Sequence, residues 1–196
     1  EERDGKQTKI PVIPGTGEFA STTDPTTWRD VETALAFVER GRAAGIGFVF
    51  TEDDPIVGVD LDDCRVPETG TVSDDAVDII ERLDSFTEIS PSGTGFHVLV
   101  EGELPDGRNR EGSIELYDSA RFFTVTGDHI PETPGHVVGR QDALTAIHQE
   151  YVQADSEPDS SPTAAAASTP STEQKHGGGR GDSGNDLDDE TLLQKA

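Results

Sequence analysis

The chain has 196 residues, with 40 acidic against 15 basic side chains for a net charge of −25, a single cysteine, no methionine and 32% hydrophobic residues. One cysteine excludes a disulfide framework or a cysteine-based zinc site and suits a reducing cytoplasm; no signal peptide is seen, no apolar run approaches the roughly 20 residues of a membrane-spanning helix, and no membrane partner is expected. The acidity excludes nonspecific nucleic-acid binding through a broad basic face but leaves room for a local basic groove, and it fits a folded protein working in concentrated salt, where the Debye length shrinks to about 3 Å at 1 M.

The segment "TDPTTWRDVETALAFVERG" predicts a helix that starts at Thr23-Asp24-Pro25, sets Trp28, Val31, Leu35 and Val38 along one side and closes at Gly41. Short strands are expected at Gly47–Phe50 and Ile56–Leu61. A helix follows over Ser73–Leu83, with Ser73 as its cap and Val77, Ile80 and Leu83 facing inward. The pattern then switches to period two, which predicts strands at Thr87–Ser90, Phe96–Val100, Ser113–Tyr117 and Phe122–Thr126, joined by loops rich in Gly and Pro. A last helix is expected near Asp142–Tyr151. Helices and strands mixed without strict alternation give an α+β class.

Residues 1–152 therefore read as one folded domain. Residues 153–186, rich in Ser, Pro, Gly, Thr and acids, bury too little to offset the entropy of ordering them and are expected to be a disordered linker. Residues 187–196, "LDDETLLQKA", carry the start of a helix with Asp188 as a cap. With no methionine and a helix opening at its end, the chain is expected to be a fragment, with a strand missing upstream and a further domain downstream.

Three stretches carry chemistry. In "VGVDLDD" the alternation puts Val57, Val59 and Leu61 on one strand face and Asp60 and Asp62 on the other. Carboxylates two residues apart on a strand sit about 6 to 7 Å from each other and can grip one hard cation or a pair; the other reading is a salt-adapted surface loop, and Asp63 points away. In "EISPSGTGFHVLV" a turn of Ser92, Gly93, Thr94 and Gly95 leads into a strand with His97 one step inside it. Glycines let backbone N–H groups converge on an anion, so the turn is either a phosphate nest with an imidazole beside it or a plain hairpin turn. In "SIELYDSARFFTVTG" Glu115 and Tyr117 share a strand face. Glu115 on a strand beside that of Asp60 completes a three-carboxylate metal site, or else it is a solvated face. Arg121 is a contact for triphosphate or template, or an ion pair with Asp118. Cys64 reads as a small packed residue.

Asp-x-Asp at a strand end, then Ser-Gly-x-Gly-x-His, then a Glu between hydrophobic residues, in this order, resembles the archaeo-eukaryotic primase superfamily. "TDPTTW", "GVDLDDCR", "SPSGTGFHV", "GRNREG" and "YDSARFFTVTGD" are similar to blocks of the primase-polymerase domains of plasmids and viruses of salt-loving archaea and of some phages, and they span about residues 9 to 130. The resemblance implies a catalytic core around an RRM-like antiparallel sheet flanked by helices. It implies Mg²⁺ or Mn²⁺ held by Asp60, Asp62 and Glu115, nucleotide phosphates held by His97 with Ser92, Gly93, Gly95 and Arg121, and metal-assisted attack of a 3′-hydroxyl on an α-phosphate. Arg65, Arg108 and Arg110 are the expected DNA contacts in an otherwise acidic chain. Partners implied are a DNA template and primer, nucleoside triphosphates and a fused or associated helicase. Rival readings of the same residues are a noncatalytic DNA-binding module that loads a helicase, and a metal-dependent phosphohydrolase or nuclease.

Overall fold

The computed structural model describes residues 9–153 with their side chains and, before them, the backbone of two paired strands, β1 (Glu2–Arg3) and β2 (Lys6–Gln7). Apart from Gln153, the linker and terminal helix expected over 153–196 lie outside the described residues.

The helix expected from Thr23 to Gly41 is in fact two pieces. Asp24 caps a single 3₁₀ turn, Pro25–Thr27, accepting from Thr26 N–H, and Trp28 then turns extended at φ −94°, ψ 163°. The indole explains the break: its Nε1–H donates to Ser21 O at 2.6 Å, which pulls residue 28 off the helical path. A second cap follows, Asp30 accepting from Thr33 N–H at 2.8 Å, and α1 (Val31–Glu39) begins there. Its buried residue is Phe37, while Val31 and Leu35 are 54% and 46% exposed, so the inward stripe is not the one the spacing predicts. Two N-cap signals six residues apart suit two short elements better than one long one.

The strands β3 (Ile46–Val49) and β4 (Ile56–Leu61) come next, then α2 (Asp74–Leu83), capped as expected by Ser73. Its inward face is Ala76, Ile79 and Leu83, with Ile80 half-buried; Val77 is exposed, one position off the stripe. Strands β5 (Phe86–Ile89), β6 (Phe96–Glu101), β7 (Arg110–Glu111), β8 (Ile114–Tyr117) and β9 (Phe122–Val125) follow. Last come β10 (Val138–Gly139) and α3 (Gln141–Ile147), which runs on as a π turn through His148–Val152.

The main sheet has β6 and β4 at its centre, β8 and then β7 on one side, and β5 and β10 end to end along the outer edge of β6. All its pairings are antiparallel except β10 with β6. The α+β class is borne out, with the helical layer on one face. That face holds the core: Val57, Val59 and Leu61 of β4, Phe96, Val98 and Val100 of β6, and Leu116 of β8 meet Ala76, Ile79 and Leu83 of α2 and Leu144 and Ile147 of α3. Each of these side chains larger than alanine contributes about 1.5–3 kcal/mol when fully buried.

The opposite face is covered by the small β3–β9 sheet, which brings the rings of Phe50 and Phe123 to the main sheet, 4.8 Å apart and edge-on. Gly58 makes this possible, because a Cβ there would lie 2.3 Å from Phe50 Cζ and 2.5 Å from Phe123 Cε2. The face that carries the acids is therefore half roofed by aromatic rings.

Candidate functional site

The register places five ionisable residues side by side in a row across five strands. Glu88 of β5 pairs with His97 of β6, His97 with Asp60 of β4, Asp60 with Glu115 of β8, and Glu115 with Arg110 of β7. Cross-strand neighbours on one face have Cβ atoms only about 4.5–5.5 Å apart, so these groups act on one another directly.

At the centre of the row, Asp60 Oδ1 is buried with no hydrogen-bond partner. His97 Nε2 stands 3.7 Å away, beyond hydrogen-bonding reach. Burial pushes the Asp60 carboxyl up to about 6; the charge of His97 opposes the rise, Asp62 and Glu115 add to it, and Lys9 lowers it. Asp62 is exposed at the strand end, where its backbone N–H donates to Ser113 O at 2.8 Å. Asp63 has turned into the left-handed region at φ 51°, and its Oδ1 accepts from Thr94 Oγ1 at 3.4 Å. Cys64 donates to Leu61 O at 3.3 Å, and burial pushes its thiol up, which suits the packed role expected of it.

Glu115 lies beside Asp60 as expected, but both of its oxygens are engaged. Oε1 is 3.0 Å from Arg110 Nε; Oε2 accepts from Tyr117 OH at 2.5 Å and lies 3.5 Å from Arg121 Nη2. Among the described residues no three His, Cys, Asp or Glu side chains are grouped to hold a metal ion. The three expected acids share a face and a neighbourhood without converging on one point. Like charges at this spacing repel, and two arginines draw the third acid sideways.

Arg121 does not pair with Asp118; its guanidinium lies over the Tyr117 ring at 4.6 Å. It lines a cleft of about 260 Å³ together with Asp60, His97, Lys9, Thr22 and Phe123. A larger groove of about 470 Å³, lined by Val77, Ile80 and Ile130 beside α2, includes none of the row.

The glycine turn sits against the end of β4. Gly93 adopts φ +76°, and a Cβ at Gly95 would meet Leu61 O at 2.1 Å. Gly93 N–H donates to Ser90 O and Thr94 N–H to Ser92 Oγ, so two N–H groups expected for an anion nest are engaged within the turn. What the turn offers instead is a chain of hydroxyls, Ser90 to Ser92 to Thr94, at 3.0 and 2.9 Å.

The expected DNA contacts separate. Arg110 is in the row and well exposed. Arg65 Nη1 donates to Gly93 O at 2.7 Å and so braces the turn. Arg108 Nη2 donates to Val152 O at 2.8 Å, tying its loop to the last helical turn.

Glu88 is the site residue that the sequence pattern alone does not single out. It is buried, 3.2 Å from His97 Nδ1, and accepts from the N–H groups of Thr126 and Gly127. A signal is present: two strands joined by a tight turn must pair residue by residue outward from it, which brings 88 opposite 97.

No family model matches the chain. It is 42% identical over 129 residues to the DNA primase-polymerase of Nitratiruptor phage NrS-1, a match that covers 63% of this chain and 18% of the phage protein, so the chain corresponds to less than a fifth of that relative's length. No helix among the described residues is long and apolar enough to cross a membrane. Over those 129 residues the chain is similar to part of a DNA primase-polymerase.

Proposed function

We propose that this domain catalyses template-directed nucleotidyl transfer, as a DNA primase or polymerase, in which a 3′-hydroxyl attacks the α-phosphate of a nucleoside triphosphate and pyrophosphate leaves. The observation that carries the reading is the partnerless, buried Asp60 Oδ1 in the wall of the cleft. Leaving such an oxygen without a partner costs roughly 1–3 kcal/mol or more, and a hard divalent cation is the ligand a carboxylate oxygen suits best. Asp60 and Asp62 would hold it, and the residues present fit Mg²⁺ or Mn²⁺. The bound ion supplies Lewis-acid stabilisation of charge on the phosphoryl oxygens.

The chain's own residues do the rest. Arg121 and Lys9 line the cleft as cations for the triphosphate, with His97 Nε2 beside Asp60. Triphosphate oxygens compete with Glu115 for Arg121, and template phosphates compete for Arg110. Both exchanges release the Glu115 carboxylate beside Asp60, where it becomes the third acid. Template contact falls to Arg110, since Arg65 and Arg108 already brace backbone. The relative is a phage protein, which supports a role in replicating plasmid or viral DNA, with a fused or associated helicase as the expected partner.

The deciding experiment gives the chain a primed template, labelled nucleotides and Mn²⁺ or Mg²⁺ in concentrated KCl. Strand extension with release of pyrophosphate is expected. Inorganic phosphate or cleaved strands instead would identify a phosphohydrolase or nuclease, and metal-independent DNA binding without extension would identify a loading module. Arg121→Ala is expected to lower kcat/KM for the nucleotide about 100-fold, in the range of losing one charge-stabilising donor. Unchanged steady-state kinetics in that variant would remove Arg121 from the site.

A further inference from the structure

His97 is held more firmly than a strand histidine needs to be. Its ring stacks on Phe123 at 4.5 Å and 19°, which sets its plane. Its Nδ1 lies 3.2 Å from Glu88 Oε1, which sets which edge faces the cleft. Glu88, only 2% exposed, is fixed in turn: Thr126 N–H donates to its two oxygens at 3.2 and 3.1 Å, and Gly127 N–H donates at 2.9 Å. Phe123, Thr126 and Gly127 belong to β9 and the turn that follows it, so a single stretch of chain sets both the plane and the flip of the imidazole.

A buried carboxylate is costly unless it is hydrogen-bonded. Burial works to raise the Glu88 carboxyl, but the bonds from His97, Gly127 and Thr126 outweigh it and hold the group below its ordinary range. An ionised acceptor at this place requires Nδ1 to carry a proton and leaves Nε2 facing the cleft, 3.7 Å from Asp60. The other buried histidine provides the contrast. His148 is met by a plain backbone carbonyl, Arg108 O at 2.7 Å, which is enough to satisfy a ring that only fills the core.

We propose that Glu88 is a positioning residue for His97: by accepting from Nδ1–H it orients the ring so that Nε2 faces the phosphate oxygens of a nucleoside triphosphate. The proposal rests on the nucleotide reading of the cleft. Ring carboxylates of this kind fix tautomer and orientation where histidine binds metals or takes part in catalysis, and losing one typically costs about 10- to 100-fold in affinity or activity.

The test uses the whole chain, Mn²⁺ and a non-hydrolysable α,β-imido deoxynucleoside triphosphate, with binding followed by calorimetry. Glu88→Ala is expected to weaken binding about 10- to 100-fold, and Glu88→Gln to recover part of that, because its amide oxygen can still accept from Nδ1–H. In a His97→Ala background, Glu88→Gln is expected to change nothing further. Equal losses with and without His97 would overturn the proposal, as would full affinity in Glu88→Ala. Ring ¹⁵N spectra of the parent chain need no variant: a protonated Nδ1 on His97 is expected, and an unprotonated one sinks the proposal even if every variant fails to fold. A parent that shows protonated Nδ1 but takes up no analogue overturns the nucleotide reading and leaves Glu88 as an orienting group for some other anion.

Discussion

Asp60→Asn is expected to abolish nucleotide incorporation and, in the absence of divalent ions above pH 6, to make the domain harder to unfold. Both effects come from the same buried oxygen. Burial, reinforced by the charges of Asp62 and Glu115, raises the Asp60 carboxyl from 3.8 to about 6. The folded state therefore binds more protons than the unfolded state between those values, and stability falls as pH rises through that window. A tenfold change in an acid's dissociation constant is worth about 1.4 kcal/mol, so at neutral pH ionised Asp60 costs the metal-free fold on the order of 2–3 kcal/mol. Asparagine carries no charge to bury and escapes most of this cost. For a chain of this size, 1 kcal/mol moves Tm by roughly 2–4 °C. Melts of parent and variant in EDTA and concentrated KCl should converge below pH 4 and separate by several degrees at pH 8, with the variant higher. Adding Mn²⁺ should raise the parent's Tm and leave the variant's alone, since a ligand at about 100 times its Kd stabilises by about 2.7 kcal/mol. A variant that melts below the parent at pH 8 in EDTA, or that still extends a primer, would contradict the assignment.

The stability penalty at Asp60 also shows what a strand pattern can and cannot reveal. Period two is enough to place Val57, Val59 and Leu61 in the core and Asp60 on the other face, because a strand end that alternates so cleanly has only one way to be buried. Ser73 marks the start of α2 for an equally local reason, a hydroxyl three residues before the N–H it accepts. What alternation does not supply is the neighbour across the strand. Glu88, His97, Asp60 and Glu115 form one row only because β5, β6, β4 and β8 pair in that register, and register depends on turns and on the opposing layer. Likewise, Arg121 and Glu115 are six residues apart in the chain, and their meeting depends on how the loop between β8 and β9 turns back. The break at Trp28 is hidden for a different reason: its cause is an indole bond back to Ser21, which no helix periodicity records.

The glycine turn packs against the end of the strand that carries Asp60, and Gly95→Ala is expected to push the two apart. Residue 95 ends the turn and leads into β6, with its backbone packed on the last peptide of β4: an added Cβ would stand 2.1 Å from Leu61 O, 3.1 Å from Leu61 C and 3.3 Å from Asp62 Cα. All three are backbone atoms at or just past the end of β4, so no side chain can swing aside to relieve the contact. Gly95 does not have a positive φ, so freedom of conformation is not what the glycine supplies; close approach of two backbones is. Room for the methyl can come only from moving the turn away from β4 or from pulling Leu61 out of register with β6. The first carries Ser92 and Thr94 away from the acids, and the second shifts Asp60 against His97 and Glu115. Overpacking of this kind costs typically 1–3 kcal/mol and more where backbone must yield, which predicts a Tm lowered by several degrees. The larger effect should fall on catalysis, because a displacement of about 1 Å in a positioned reacting group can cost about 100-fold in rate. Gly93→Ala is the control: it strains a φ of +76° but has only Pro67 Cγ within reach, at 4.0 Å. It should therefore destabilise by about 1–2 kcal/mol while sparing kcat far better than Gly95→Ala. Two variants with similar losses in Tm but kcat values at least tenfold apart would place the effect of Gly95 in the alignment of turn and acids. Equal kcat values would reduce it to stability alone.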